Sequence, residues 1–170
     1  MKRILALLFI ASIGIYSYSQ DKFVIPQVSE LQKYQNAALQ LNASYLIQIS
    51  YAKSLGKTVE DAGSYVGDQL KYTWDRTGGF DAFVRGTLYT MLTLVPYGTV
   101  EVTGQTNNSI EYLVTGFYSD LREGGSVFDV TYEEYLKFWE TVFAKIGDYM
   151  SAIYTQTDTD EGLLVKIRKR

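Results

Sequence analysis

The chain has 170 residues, no Cys, no His, two Pro, and 16 basic against 19 acidic side chains, for a formal net charge of −3. A domain of that length buries a core without disulfides or a structural metal. Without imidazole or thiol, the general-base, nucleophilic, zinc and haem-ligand chemistry of those groups is excluded, and most familiar hydrolase and redox mechanisms go with it.

Lys2 and Arg3 precede an apolar run from Ile4 to Ile15, and a polar stretch leads on to Asp21 and Lys22. This is signal-peptide architecture, since about twelve apolar residues are too few to cross a bilayer as a helix. Ser17-x-Ser19 supplies small residues at the cleavage positions, so residues 1–19 are expected to be removed after Ser19. Residues 20–170 would then form one secreted or periplasmic α+β domain with no stable membrane span. A retained N-terminal anchor is the alternative. The mature chain would carry 14 basic and 19 acidic groups, a net −5. That balance argues against a nucleic-acid partner, because phosphate binding needs clustered Lys and Arg. The one basic cluster, Lys166, Arg168, Lys169 and Arg170, reads as a solvated strand edge.

Ser29-Glu30-Leu31-Gln32 is a capping box that opens a helix to about Leu55, with Leu31, Tyr34, Ala38, Leu41, Tyr45 and Ile49 on its inward face. Thr58-Val59-Glu60-Asp61 opens a second helix, expected to reach about Asp75. On it Gly63 and Gly67 stand four apart, each costing ~1 kcal/mol relative to Ala in an exposed helix. Close approach of another backbone is the first explanation, a ligand contact the second. After Thr77-Gly78-Gly79, a third helix from Phe80 to Val95 turns Phe83, Val84, Leu88, Met91, Leu92 and Val95 inward.

The period then falls from 3.6 to 2. Runs at Val100–Val102 and Ile110–Tyr118, separated by Thr106-Asn107-Asn108-Ser109, read as a β-hairpin. A two-residue turn places Val102 beside Leu113, whereas a loop one residue longer places the valines beside Tyr112 and Val114. Both strand faces are partly apolar, so helices or a partner are expected to cover more than one of them. Leu121 to Asp129 reads as a long irregular loop. Thr131-Tyr132-Glu133-Glu134 is a third capping box, with Val130 and Tyr135 placed for a hydrophobic staple. The helix behind it carries Tyr135, Phe138, Trp139, Val142, Phe143, Ile146, Tyr149, Met150 and Ile153. Gln156 to Gly162 reads as a polar turn before a closing strand with Leu163, Val165 and Ile167 on one face. The fold class is α+β: about four helices on a small, mainly antiparallel sheet made of the hairpin and the C-terminal strand.

Twenty-two residues after Ser19 are aromatic, thirteen of them Tyr. An apolar cleft with a few polar groups is the default form of a small-molecule site, which makes Tyr89, Tyr97, Tyr112, Tyr118, Tyr135 and Trp139 the candidate lining. The plainer reading is that these rings only fill the core and surface. Asp81 and Arg85, four apart, read as a surface ion pair, or with Arg85 at a pocket mouth as an anion clamp. Trp74-Asp75-Arg76 offers a similar clamp. Glu101 and Glu111 are the only carboxylates in the hairpin strands, and the two-residue turn sets them on different faces, which spoils a glycosidase pair. Asn42-x-Ser44 matches a glycosylation sequon in mid-helix. Thr157-Asp158-Thr159-Asp160-Glu161 lacks the central Gly of a calcium loop, so no metal and no cofactor is implied.

The order helix, helix, helix, hairpin, long helix, strand, with Leu55-Gly56-Lys57-Thr58 joining the first two helices, resembles the ligand-binding fold of haem nitric-oxide-binding, vinyl-reductase-like and TRAPP-subunit domains. The resemblance lies in element order and covers most of the mature chain without matching a family motif. It implies an interior apolar cavity between helices and sheet. The absence of His and Cys departs from the haem-binding and acylated members, so only the cavity would carry over. The reading is therefore a binding module for a small apolar or amphipathic ligand. Its alternatives are a small hydrolase using carboxylate, Tyr and Arg groups, or an interaction protein with an aromatic patch, with a homo-oligomer among the expected partners.

Overall fold

Three capping boxes start three helices in the computed structural model, which describes residues 28–170; the expected leader and its cleavage position lie outside the described residues. Ser29 and Gln32 cap α1 (Glu30–Ser54), Thr58 and Asp61 cap α2 (Val59–Leu70), and Thr131 and Glu134 cap α5 (Tyr132–Tyr149). In each, the hydroxyl takes the third backbone N–H and the third side chain takes the cap N–H, so two orphan donors are satisfied together. Val130 and Tyr135 are both fully buried, as the staple requires.

Between these come α3 (Gly79–Leu94), β1 (Thr99–Thr106), β2 (Ser109–Thr115), α4 (Ser119–Gly124), β3 (Ser126–Val127) and β4 (Val130–Thr131), and after α5 come β5 (Ala152–Thr159) and β6 (Gly162–Lys169). The fold is α+β, with five α-helices among the described residues, an antiparallel sheet in the order β1-β2-β6-β5, and a two-stranded β3–β4 ribbon.

The core centres on α5, eight of whose residues are buried. The inward rows Ile110, Tyr112, Val114 of β2 and Leu163, Val165, Ile167 of β6 belong to the same buried cluster. On its other flank α5 receives α2 through Gly63 and Gly67. A Cβ at Gly63 would lie 2.8 Å from the Phe138 carbonyl oxygen, and one at Gly67 2.7 Å from Lys145 Cβ and 2.9 Å from the Val142 carbonyl oxygen. The close-approach explanation of this glycine pair is the one the structure supports, because only hydrogen leaves room for the two backbones.

Several expectations are corrected. α2 stops at Leu70, followed by a 3-10 turn over Lys71–Thr73, because Trp74 leaves the helix with ψ 136° and lays its ring on α3. A Cβ at Gly86 would stand 2.1 Å from that ring. The hairpin combines both registers: the two-residue turn pairs Thr106 with Ser109 and Gly104 with Glu111, then a bulge at Thr103 shifts the ladder so that Val102 faces Tyr112 and Val100 faces Val114. Glu101 thereby falls opposite Leu113, on the same outer face as Glu111 rather than on the other.

Among the described residues no helix covers that outer face. Lys166 is exposed there and pairs with Glu111 at 3.3 Å. The basic C-terminal strand, expected at an edge, is central, and the edge belongs to β5, which was expected to be helix end and polar turn. The long helix stops at Tyr149, and Ser151 takes a left-handed φ of 57° that releases the chain into β5. The Leu121–Asp129 stretch holds the end of α4 and the tight β3–β4 turn instead of an irregular loop. On α1 the buried residues are Ala38, Asn42, Leu46 and Ile49, whereas Leu31, Tyr34 and Leu41 are exposed. Leu92 of α3 is exposed as well. Among the described residues no helix is long and apolar enough to cross a membrane.

Candidate functional site

Three helices stand around a well of about 330 Å³ whose floor is α5. Leu41 and Tyr45 come from α1, Tyr89, Thr90, Thr93 and Leu94 from α3, and Leu70, Thr73 and Trp74 from the end of α2 and the turn after it. Trp139, Val142, Phe143 and Ile146 form the floor. The well exists because Trp74 is held flat on Gly86 and against Phe83, at a ring distance of 5.5 Å, and so lines the wall rather than filling the space. Tyr45 leans edge-on over Trp139 at 4.7 Å, and Trp139 stacks on Phe143 at 5.4 Å. Burial pushes the Tyr45 phenol above its ordinary pKa.

Among the described residues no charged side chain lines this well. Its threonines donate their hydroxyl protons to their own helical turns, Thr73 to Leu70 O at 2.7 Å, Thr90 to Gly86 O at 2.9 Å and Thr93 to Tyr89 O at 2.8 Å. Their oxygens keep acceptor capacity, so the wall is apolar with a few weakly polar points. A ligand seated here would be desolvated against aromatic faces and would leave no ionised group buried without a partner.

The seven residues expected to line a site do not converge. Tyr89 and Trp139 line the well, at its rim and floor. Tyr112 and Tyr135 are fully buried core rings. The Tyr135 hydroxyl donates to Asn42 Oδ1, whose amide donates to Ala38 O at 2.9 Å and Leu94 O at 3.1 Å, so this polar group ties α1, α3 and α5 together. Among the described residues the Tyr112 hydroxyl and the Trp139 Nε1 make no hydrogen bond of ordinary geometry, although Thr87 lies near enough to act on the Tyr112 phenol. Burial raises the phenol pKa of both Tyr112 and Tyr135. Tyr118 is half-buried against Tyr135 at 5.3 Å, and Tyr97 is 67% exposed in the turn before β1.

Arg85 borders a different, polar concavity with Asp81, Gln105 and Asn107. No Asp81–Arg85 ion pair occurs among the described residues; the Arg85 charge instead acts on Asp75, whose carboxyl is lowered mainly by hydrogen bonds from Thr77. Asn42, the sequon residue, is fully buried and out of reach of modification. Asp158 of the acidic turn is engaged by Arg122 at 3.2 Å and by the Tyr132 hydroxyl at 3.2 Å. The residues that sequence reasoning missed are Tyr45, Thr90 and Thr93. Gly86, four residues before Thr90, was the available signal of a flat ring on α3.

No family model, no curated protein and no solved structure matches this chain.

Proposed function

We propose that the protein is a secreted or periplasmic binding module that holds a small, uncharged apolar or amphipathic molecule in the well between α1, α2 and α3. The observation that supports this reading most is the lining: both tryptophans of the chain, with Tyr45 and Tyr89, face an uncharged space of about 330 Å³, the size of a compact organic ligand. The apolar part of the ligand lies on Trp139 and Trp74, and its polar end meets the Tyr89 and Thr93 rim. The cavity between helices and sheet that the element order suggested is not this well, which is lined by helices and the turn after α2 alone, so the reading rests on the lining.

Intrinsic fluorescence tests the reading directly, since Trp74 and Trp139 are the only tryptophans. Titration with neutral alkyl and aryl alcohols is expected to give a saturable emission change, and native mass spectrometry of the purified protein a displaceable small molecule. Thr90→Phe, which fills the well from α3, should weaken binding at least about tenfold while the circular dichroism stays unchanged. A protein that shows no saturable response and carries no small molecule overturns the proposal.

A further inference from the structure

From Tyr34 to Ala52, nineteen consecutive residues of α1 carry no charge, although most of that helix is exposed. On α2 and α5 exposed positions are charged in the ordinary way, with Glu60 and Asp61 on α2 and Glu133, Lys137 and Asp148 on α5. Charge depletion with retained Tyr, Leu and amide side chains is the composition of an interface core.

The exposed residues of α1 and its C-cap Leu55 also have a period. Ala37, Leu41, Ser44, Gln48, Tyr51 and Leu55 follow one another at alternating spacings of four and three, and all six are exposed. That is the seam of a helix pair, with small Ala37 and Ser44 permitting close approach and Tyr51, 66% exposed, supplying contact area. Laid antiparallel on itself about a twofold axis midway between Ser44 and Gln48, the seam matches Ala37 with Leu55, Leu41 with Tyr51 and Ser44 with Gln48. Apolar meets apolar, and hydroxyl meets amide. Amide and hydroxyl groups both donate and accept, so a surface made of them complements its own copy, which is what a twofold interface demands.

We propose that the exposed face of α1 is the interface of a homodimer, formed by antiparallel pairing of α1 with the same helix of a second copy. The seam spans about 27 Å along the helix. The partner helix lies along the rim of the well at Leu41 and along the groove between α1 and α2, where Gln48, Tyr51 and Leu55 form one wall.

Sedimentation equilibrium of the purified protein tests the pairing. The wild-type chain is expected at twice its chain mass. Ser44→Glu and Gln48→Lys, made singly, each bury an unpaired charge in the seam and should weaken self-association by about a hundredfold. The double variant S44E/Q48K places Glu against Lys twice in the antiparallel register and should dimerise again. In a parallel pair the same double variant sets Glu on Glu and Lys on Lys and stays monomeric. A wild-type monomer at the highest soluble concentration overturns the proposal, as does a dimer that Ser44→Glu leaves intact. A double variant that is monomeric yet folded by circular dichroism overturns the antiparallel register.

Discussion

The two longest helices of the molecule have opposite surroundings. α5 has 18 residues and buries eight; α1 has 25 and buries four. Both begin with a complete capping box and both recur in apolar residues, so caps and apolar spacing alone do not separate them. What separates them is the second side. α5 lies between the sheet and α2, and the glycines of α2 let that contact close to backbone distance. α1 buries one narrow row, Ala38, Asn42, Leu46 and Ile49, with Tyr45 packed beside it on Phe138 and Trp139, and leaves Leu31, Ile47, Tyr51 and Leu55 exposed.

The largest test of this contrast is Gly67→Val. Its side chain would meet Lys145 Cβ and the Val142 carbonyl, neither of which can swing away as the tip of a flexible side chain could. Overpacking of this kind should lower stability by about 3 kcal/mol. Gln40→Ala on the open face of α1 should change it by less than ~0.5 kcal/mol. Urea unfolding of the two variants measures both, and similar midpoints would remove the distinction between the helices.

A smaller effect separates two buried phenols. Tyr135 joins α5 to α1 through Asn42, so Tyr135→Phe leaves the Asn42 carbonyl buried without its donor, at a cost of ~1–3 kcal/mol. Tyr112 has the same burial, but among the described residues its hydroxyl makes no hydrogen bond of ordinary geometry, and Tyr112→Phe removes a desolvated group that only approaches Thr87. It should be neutral or slightly stabilising. Equal losses in thermal unfolding for both variants would show that Asn42 is not the hub of α1.

Much of this architecture was legible in the sequence where a local signal had one meaning. The capping boxes fixed three helix starts, the Gly63/Gly67 pair announced a backbone contact, and Leu163, Val165 and Ile167 alternated as a half-buried strand must. The signals failed where tertiary contact chose between local options. Trp74 ends α2 because Gly86, twelve residues further along the chain and on another helix, offers it a flat seat that no local pattern around Trp74 announces. β5 was hidden because Thr155, Gln156, Thr157 and Asp158 are polar on both faces, as an edge strand permits. The hairpin register was undecidable because the bulge at Thr103 uses both alternatives. The candidate site was legible only at Trp139 and Tyr89, since aromatic content identifies rings but not which of them border a space.

The smallest test concerns the other tether of α1. Near its C-terminal end Lys53 reaches both carboxylate oxygens of Glu134, at 2.7 and 2.8 Å, and also donates to the Asp129 carbonyl, binding α1 to the first turn of α5. Partial burial by itself would raise the Glu134 pKa, but the hydrogen bond from Lys53 and that from the Thr131 N–H outweigh it, and the carboxyl is held below its ordinary value. A carboxyl whose pKa is lower in the folded state stabilises that state above the unfolded pKa of about 4.3, and the contribution disappears as pH falls through the lower, folded value. The pair is partly exposed, with 29% of each side chain accessible, so its share is about 0.5–1 kcal/mol. Lys53→Met should therefore lower stability near pH 7 by about that amount, and the difference from the wild type should shrink once the pH is below about 4. A difference that stays constant across that range would mean that Lys53 holds α1 through the Asp129 carbonyl, a contact that does not titrate, and that the Glu134 carboxylate adds nothing to the tether.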